Sequence, residues 1–160
     1  MAIFARIGSI RGESVDARHQ DEIEVLSWTW GVSQSGAGAG GTGSGGGAGR
    51  ATVHDLRFTH RLDRASPLLM KACATGEHLR DATMTVRRAG PGQLEFLVVT
   101  MSDVRVTSVS SSVSAEGDST LESVDLAFAR VDLEYRPQKP NGTLDAGVHF
   151  AYDLKKNKAG

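Results

Sequence analysis

Five histidines, one cysteine and a long glycine run are the features of this 160-residue chain whose residue types could do chemistry. His19, His54, His60, His78 and His149 are scattered, with no HExxH and no helical i, i+4 pair, so no zinc clasp or helical acid–base pair can be read from them. Each reads as a surface or strand-face residue. No serine lies in GxSxG, which removes the strained elbow of an α/β-hydrolase nucleophile. Gly36, Gly38 and Gly41 satisfy GxGxxG, but other triples of the same run do too, and the match carries no dinucleotide signal. Arg50 and Ala51 follow Gly49 where a Walker loop needs Lys and then Ser or Thr. Cys73 stands alone, which excludes an intramolecular disulfide and a CxxC metal site. The expectation is therefore a protein that is not an enzyme, with no catalytic residues, no metal ligands and no cofactor.

Binding chemistry is the remaining class. Arg57, Arg61 and Arg64, Arg87 and Arg88, and Lys155, Lys156 and Lys158 form basic groups, but the aromatics follow the core phase and the net charge is -1 with a pI near 6.5. A nucleic-acid groove needs a basic domain with exposed aromatics between the cations, so nucleic acid is not an expected partner. The most distinctive spot is Trp28-Thr29-Trp30. Strand pleating puts both indoles on one face, into the core, and Ser27, Thr29 and Gly31 on the other. That second face is small and hydroxylated, suited to lining a watery cavity or to meeting solvent.

The elements that position these residues are mostly strands, because apolar and polar residues alternate. Ile3, Ala5 and Ile7 make the first. Ile23 and Val25 share one phase while Leu26, Trp28, Trp30 and Val32 share the other, the one-residue slip that a β-bulge produces. Leu56 and Phe58 alternate with polar neighbours, as do Ala82, Met84 and Val86. Leu94 to Met101 is nearly continuous in apolar residues and predicts a strand covered on both faces. Val124, Leu126 and Phe128 slip into the phase of Val131, Leu133 and Tyr135, and Val148, Phe150, Tyr152 and Leu154 close the set. One helix interrupts: Ser66 offers a cap, Pro67 fits the first helical position, Gly76 a left-handed stop, and Leu69, Ala72 and Cys73 share one face. Seven or eight strands with one helix predict a mainly β fold, an antiparallel β-barrel of two packed sheets with one flanking α-helix.

At this length one domain spanning residues 1–160 is expected, with enough chain for a real core. Ten of the nineteen glycines fall between Gly31 and Gly49, and residues 35–49 contain only Gly, Ala, Ser and Thr. Composition alone reads as a flexible linker, but the 34 residues before it cannot bury a core of their own. The run is therefore expected to be a long inter-strand loop. The start, MAIFARIGSIRGES, lacks a basic n-region followed by an apolar stretch, and no run approaches a membrane span. A chain made in the cytoplasm, with no membrane insertion, is expected; if it works outside the cell, it leaves by a route that reads no Sec signal.

A family resemblance rests on longer segments: IGSIRGES at 7–14, EIEVLSWTWGVSQSG at 22–36, DLRFTHRLDRASPLLMKACATGEH at 55–78, RRAG at 87–90 and EYRPQKPNG at 134–142. In this order, over essentially the whole chain, they resemble the haemolysin-coregulated protein (Hcp) family, the tube subunits of the bacterial type VI secretion system. Ser9 stands where the family often has Asp, and the glycine run is unusually long and pure.

The resemblance implies a barrel that assembles as a homo-hexameric ring, rings that stack into a tube, and a tube expelled with a spike protein (VgrG) by a contractile sheath on a baseplate. It also implies secretion to the extracellular space or a target cell, with small effector proteins carried in the lumen. The hydroxylated face of Ser27, Thr29 and Ser33 would then line that lumen. Leu97, Val99 and Tyr135 are the expected ring-interface residues, since ring closure needs apolar or edge-strand contacts between copies. Gly38, Gly41, Gly43, Ser44 and Gly46 are the expected inter-ring contacts. Ordering such a loop costs about 1–2 kcal/mol per residue in backbone entropy, so stacking should be weak without a template. The competing expectation is a monomeric ligand- or carbohydrate-binding β-barrel with the glycine loop as a lid.

Overall fold

The computed structural model describes residues 1–35 and 50–160. Ten strands and one helix follow in chain order among them: β1 (Ala2–Ile7), β2 (Ile23–Thr29), β3 (Val32–Gln34), β4 (Ala51–Val53), β5 (Leu56–His60), α1 (Ser66–Thr75), β6 (Leu79–Arg87), β7 (Glu95–Ser114), β8 (Ser119–Tyr135), β9 (Val148–Asp153) and β10 (Lys158–Ala159). One antiparallel sheet runs β10-β9-β8-β5-β2-β1-β6-β7, and because β7 also pairs with β8 it closes into a six-stranded barrel with β9 and β10 as an outer extension. The barrel and the single helix are as expected. Closure satisfies the backbone groups that an open sheet would leave at its edges.

Inward residues follow the predicted alternation: Ala5 and Ile7, Ile23 and Val25, Leu56 and Phe58, Ala82 and Met84, Val124 and Leu126 belong to one buried cluster. Both phase slips occur. The register shifts between Val25 and Ser27, leaving Leu26 unpaired and half exposed while Trp28 turns back toward the core. On β8 the buried phase passes from Phe128 to Val131, and β7 changes phase at the same level, from Met101 to Val104, through Asp103 at φ 53. From Leu97 to Val106 the two strands keep one register, which shifts only beyond Val106, so at this level they must invert together.

Four expectations are corrected. Val99 is fully buried in the barrel core rather than placed at a surface. Ser66 is not the cap: Ala65 holds that position, and Asp63 organises the turn by accepting the Ala65 N–H on Oδ1 (2.8 Å) while its own N–H donates to Ser66 Oγ (3.1 Å). The apolar run from Leu94 is not covered throughout, since Thr100 is exposed and Leu97 and Val98 are half-buried. The strand it begins runs on to Ser114, far past Met101. Pro67 and the left-handed Gly76 (φ 67) do bound the helix as expected, and Leu69 and Ala72 face the core.

Candidate functional site: a hydroxylated wall

The bulge at Leu26 decides what β2 presents outward. It turns Ser27 and Thr29 to the barrel exterior, where the register aligns them with polar residues on three further strands. Ser27 lies opposite Thr59, Thr59 opposite Ser123, and Ser123 opposite Ser110, so one row of hydroxyls crosses β2, β5, β8 and β7. The adjacent row reads Thr29, Arg57, Asp125 and Ser108. Ser27 Oγ and Thr59 Oγ1 are hydrogen-bonded at 2.6 Å, and either hydroxyl can be the donor.

The two charges in the Thr29 row cancel. Arg57 grips Asp125 with two donors, Nε to Oδ1 at 2.7 Å and Nη2 to Oδ2 at 3.0 Å, a fork that fixes both side chains. That hydrogen bonding pushes the Arg57 pKa further up, so the pair stays ionised and neutral as a unit. Thr107 Oγ1 donates to Asp55 Oδ2 at 2.7 Å beside it. A shallow cavity of about 360 Å³ opens between Thr29, Gly31, His54, Arg57 and Asp125. At its rim Trp30 Nε1 donates to the His54 carbonyl (2.8 Å), and Ser33 Oγ meets His54 Nε2 at 3.0 Å.

The predicted wall residues Ser27, Thr29 and Ser33 are all exposed, but only Ser27 and Thr29 share one strand; Ser33 stands on the β3–β4 hairpin, tied to the wall through His54. Ser33 and His54 have the distance of a nucleophile–base pair, yet among the described residues no carboxylate holds the other ring nitrogen, the third part such a pair needs. No group of three or more His, Cys, Asp or Glu that could hold a metal ion occurs among the described residues. Thr59, Ser123, Ser110 and Ser108 escaped sequence reasoning, because cross-strand alignment is set by register and leaves no local signal.

The expected ring-interface residues divide. Tyr135 is 41% exposed and lies opposite the more exposed Val148, while Leu97 is half-buried beside it. Val99, enclosed in the core, cannot offer its side chain to another copy. The same end of the barrel carries a cluster that sequence reasoning missed: the Arg88 guanidinium lies 4.4 Å from the Phe96 ring, and Phe96 meets Tyr135 edge-on. Gly38, Gly41, Gly43, Ser44 and Gly46 lie outside the described residues. Their stem is described, with Val32 to Gln34 paired to Val53 to Ala51. No helix among the described residues is long and apolar enough to cross a membrane.

Comparison with known proteins places this architecture. Residues 4–135 match the family model described as "Type VI secretion system effector, Hcp". Over 157 residues the chain is 47% identical to "Protein hcp1" of Pseudomonas aeruginosa, covering 97% of this chain and 96% of that one. A solved structure described as a type six secretion system protein superposes with a TM-score of 0.91 at 28% identity, covering 99% of both chains. The crystal structure of Hcp1 from Salmonella typhimurium superposes at 0.78 with 38% identity, over 99% of this chain and 98% of that one.

Proposed function

This chain belongs to the Hcp family and is a tube subunit of the type VI secretion system, a structural secreted protein rather than an enzyme, and we propose that its hydroxylated wall is the surface that cargo meets in the lumen. The observation that carries this reading is the pair of cross-strand rows from β2 to β7, in which the one ion pair is internally neutralised. Hydroxyls exchange water for a partner's amides at small net gain per bond, so such a wall holds a polar protein surface loosely and releases it. A row of exposed aromatics would grip far more tightly.

The same reading gives the assembly. Copies close into a hexameric ring, with Tyr135, Leu97 and the neighbouring Val148 offered at one contact. Rings stack through the glycine-rich segment that the β3–β4 stem carries, and the stack travels with a spike protein, a contractile sheath and a baseplate. Small effector proteins occupy the lumen. A closed ring of identical subunits accords with the family and with a net charge of -1, which sets little repulsion between copies.

The test is Thr29→Arg. Thr29 is exposed beside Arg57, so a second guanidinium adds bulk and unbalanced charge to the wall without touching the core. The expected result is a ring of unchanged mass, near six protomers by sedimentation, that no longer retains co-expressed effector. Unchanged retention would reject the wall as the contact surface, and a 17 kDa species in both proteins would favour the monomeric binding module instead.

A further inference from the structure

Beneath the hydroxyl row, on the inner face of the same four strands, lies a buried acid–base cluster that the tube reading does not use. Val25, His60, Glu122 and Ser111 are cross-strand neighbours on β2, β5, β8 and β7. His60 and Glu122 are both fully buried. His60 Nε2 lies 2.8 Å from Glu122 Oε1, and Ser111 donates its hydroxyl to Glu122 Oε2 at 2.6 Å. The other ring nitrogen, Nδ1, makes no hydrogen bond; its nearest anion is Asp63 Oδ2 at 3.8 Å, and Asp63 is the residue that organises the first turn of α1.

The cluster thus joins three elements through one imidazole. We propose that a proton on His60 locks the first turn of α1 to the β7–β8 hairpin, and that losing it on the alkaline side loosens the strand that completes the hydroxylated wall. With both nitrogens protonated, Nε2–H donates to Glu122 and Nδ1–H faces Asp63, so the single positive charge of the imidazolium is shared between two poorly solvated carboxylates and offsets one of their two charges. When the Nδ1 proton leaves to solvent past Asp63, a lone pair faces the Asp63 carboxylate and attraction becomes repulsion. Glu122 keeps only neutral donors in a buried site, which is costly. Ser111 shares the inner face with Glu122 but is itself exposed, and it is the group that covers Glu122, so opening begins there.

Electrostatics supports the direction. Burial alone would keep His60 neutral, but Asp63 and Glu122, the charged groups acting on it among the described residues, outweigh burial and hold its pKa above the ordinary 6.5. A raised folded-state pKa gives stability that is complete below the unfolded value and is lost as pH rises through the folded one. Loosening is therefore an alkaline event, and acid does not cause it through this residue.

The consequence for cargo rests on the wall reading, but the lock itself does not. The experiment is NMR of the full chain with ¹⁵N-labelled histidine from about pH 6 to about pH 9, with amide exchange of residues 108–125 and 63–70 followed in the same samples. His60 is expected to lose one of two ring protons within this range, and both segments to exchange faster than ordinary base catalysis accounts for. His60→Gln should abolish that excess. Asp63→Asn keeps an acceptor for the Ala65 N–H and should lower the His60 midpoint, which provides a readout if His60→Gln does not fold. A His60 that stays neutral or stays doubly protonated throughout, an unmoved midpoint in Asp63→Asn, or an excess that survives in His60→Gln would overturn the lock. Effector retention, measured alongside, separates the two readings: no retention at any pH counts against the wall while the His60 titration still decides the lock.

Discussion

Replacing Gly12 by alanine tests whether the segment from Ile10 to Asp21 is a fitted strap over the barrel. A Cβ at Gly12 would lie 2.5 Å from the Glu22 carbonyl oxygen, 2.8 Å from its carbon and 2.7 Å from Ile23 Cα. All three are backbone atoms at the start of β2, and Ile23 is fully buried, so neither side can yield freely. The strap must lift, which strains its bonds to that backbone: Gly12 N–H to the Asp21 carbonyl (2.7 Å) and Ser14 N–H to the Glu22 carbonyl (3.0 Å). It also covers Phe4, on which His19 stacks at 4.4 Å and the Arg87 guanidinium sits at 5.0 Å. Overpacking of this kind costs about 1–3 kcal/mol and a weakened hydrogen bond about 1 kcal/mol more, while alanine stabilises by roughly 0.4–1 kcal/mol through the unfolded chain. The net loss is then about 1–3 kcal/mol, read at about 2–4 °C per kcal/mol in thermal unfolding at fixed protomer concentration. Gly147 is the control. A Cβ there also meets an atom at 2.5 Å, but that atom and the next two, Cγ at 2.7 Å and Cδ at 2.8 Å, all belong to the Glu134 side chain, which can rotate away as a whole and give up only a partly exposed ion pair with His149 (3.0 Å) that contributes little. Gly147→Ala should unfold within about 0.5 kcal/mol of the parent. If Gly12→Ala is equally silent, the close approach is not a constraint and the strap is loosely held.

Two further outcomes follow from burial and charge. Val99→Ala should lower the unfolding free energy of the protomer by about 2 kcal/mol, the loss of two buried methyl groups and a small cavity, and leave the proposed ring intact, whereas Tyr135→Ala, which also gives up the edge-on contact with Phe96, should shift that ring toward smaller species in sedimentation; a ring lost in Val99→Ala and kept in Tyr135→Ala would return Val99 to the interface. Asp16 has a pKa lowered to about 2, first by the hydrogen bond from Arg87 and then by the Arg18 N–H. Its contribution is present above the unfolded value of 3.8 and is lost as pH falls toward 2, so acid should free the strap, seen as exchange at residues 10–21 ahead of the barrel strands, and Asp16→Asn should remove that step.

Alternation made most of the barrel legible, and its failures have definite physical causes. The slip at Leu26 was readable because a bulge leaves two adjacent residues outward, which breaks the period in the sequence itself. The apolar run from Leu94 hid Val99, since a continuous run has no phase from which to tell core from surface. Thr107 to Ser114 was missed as strand because six of those eight residues are Ser or Thr, and the hairpin they form is half solvated with little apolar face to alternate. Asp63 displaced Ser66 at the helix start because a carboxylate two residues before Ala65 reaches its N–H, whereas Ser66 is already inside the first turn. The ion pair of His60 and Glu122 spans 62 residues of sequence and depends entirely on the β5–β8 register.

That register also explains why one unpaired residue matters to the wall. Without the bulge, strict alternation from Ile23 and Val25 would carry Ser27 and Thr29 into the core and Leu26, Trp28 and Trp30 to the outside. The outer rows would then lose their first strand of hydroxyls, and two indoles would stand beside Arg57 as an adhesive, cation-binding patch. With Leu26 extruded, the indoles pack against the core, Trp30 reaching Phe128 at 6.1 Å, and the outer surface stays small and polar. The proposed role of this surface, to pass cargo along rather than hold it, depends on that inversion. Deleting Leu26 would remove the extra residue itself and leave Ser27 and Thr29 outward and Trp28 inward by plain alternation, so it should spare the wall, and a loss of retention in that variant would count against the facing argued here.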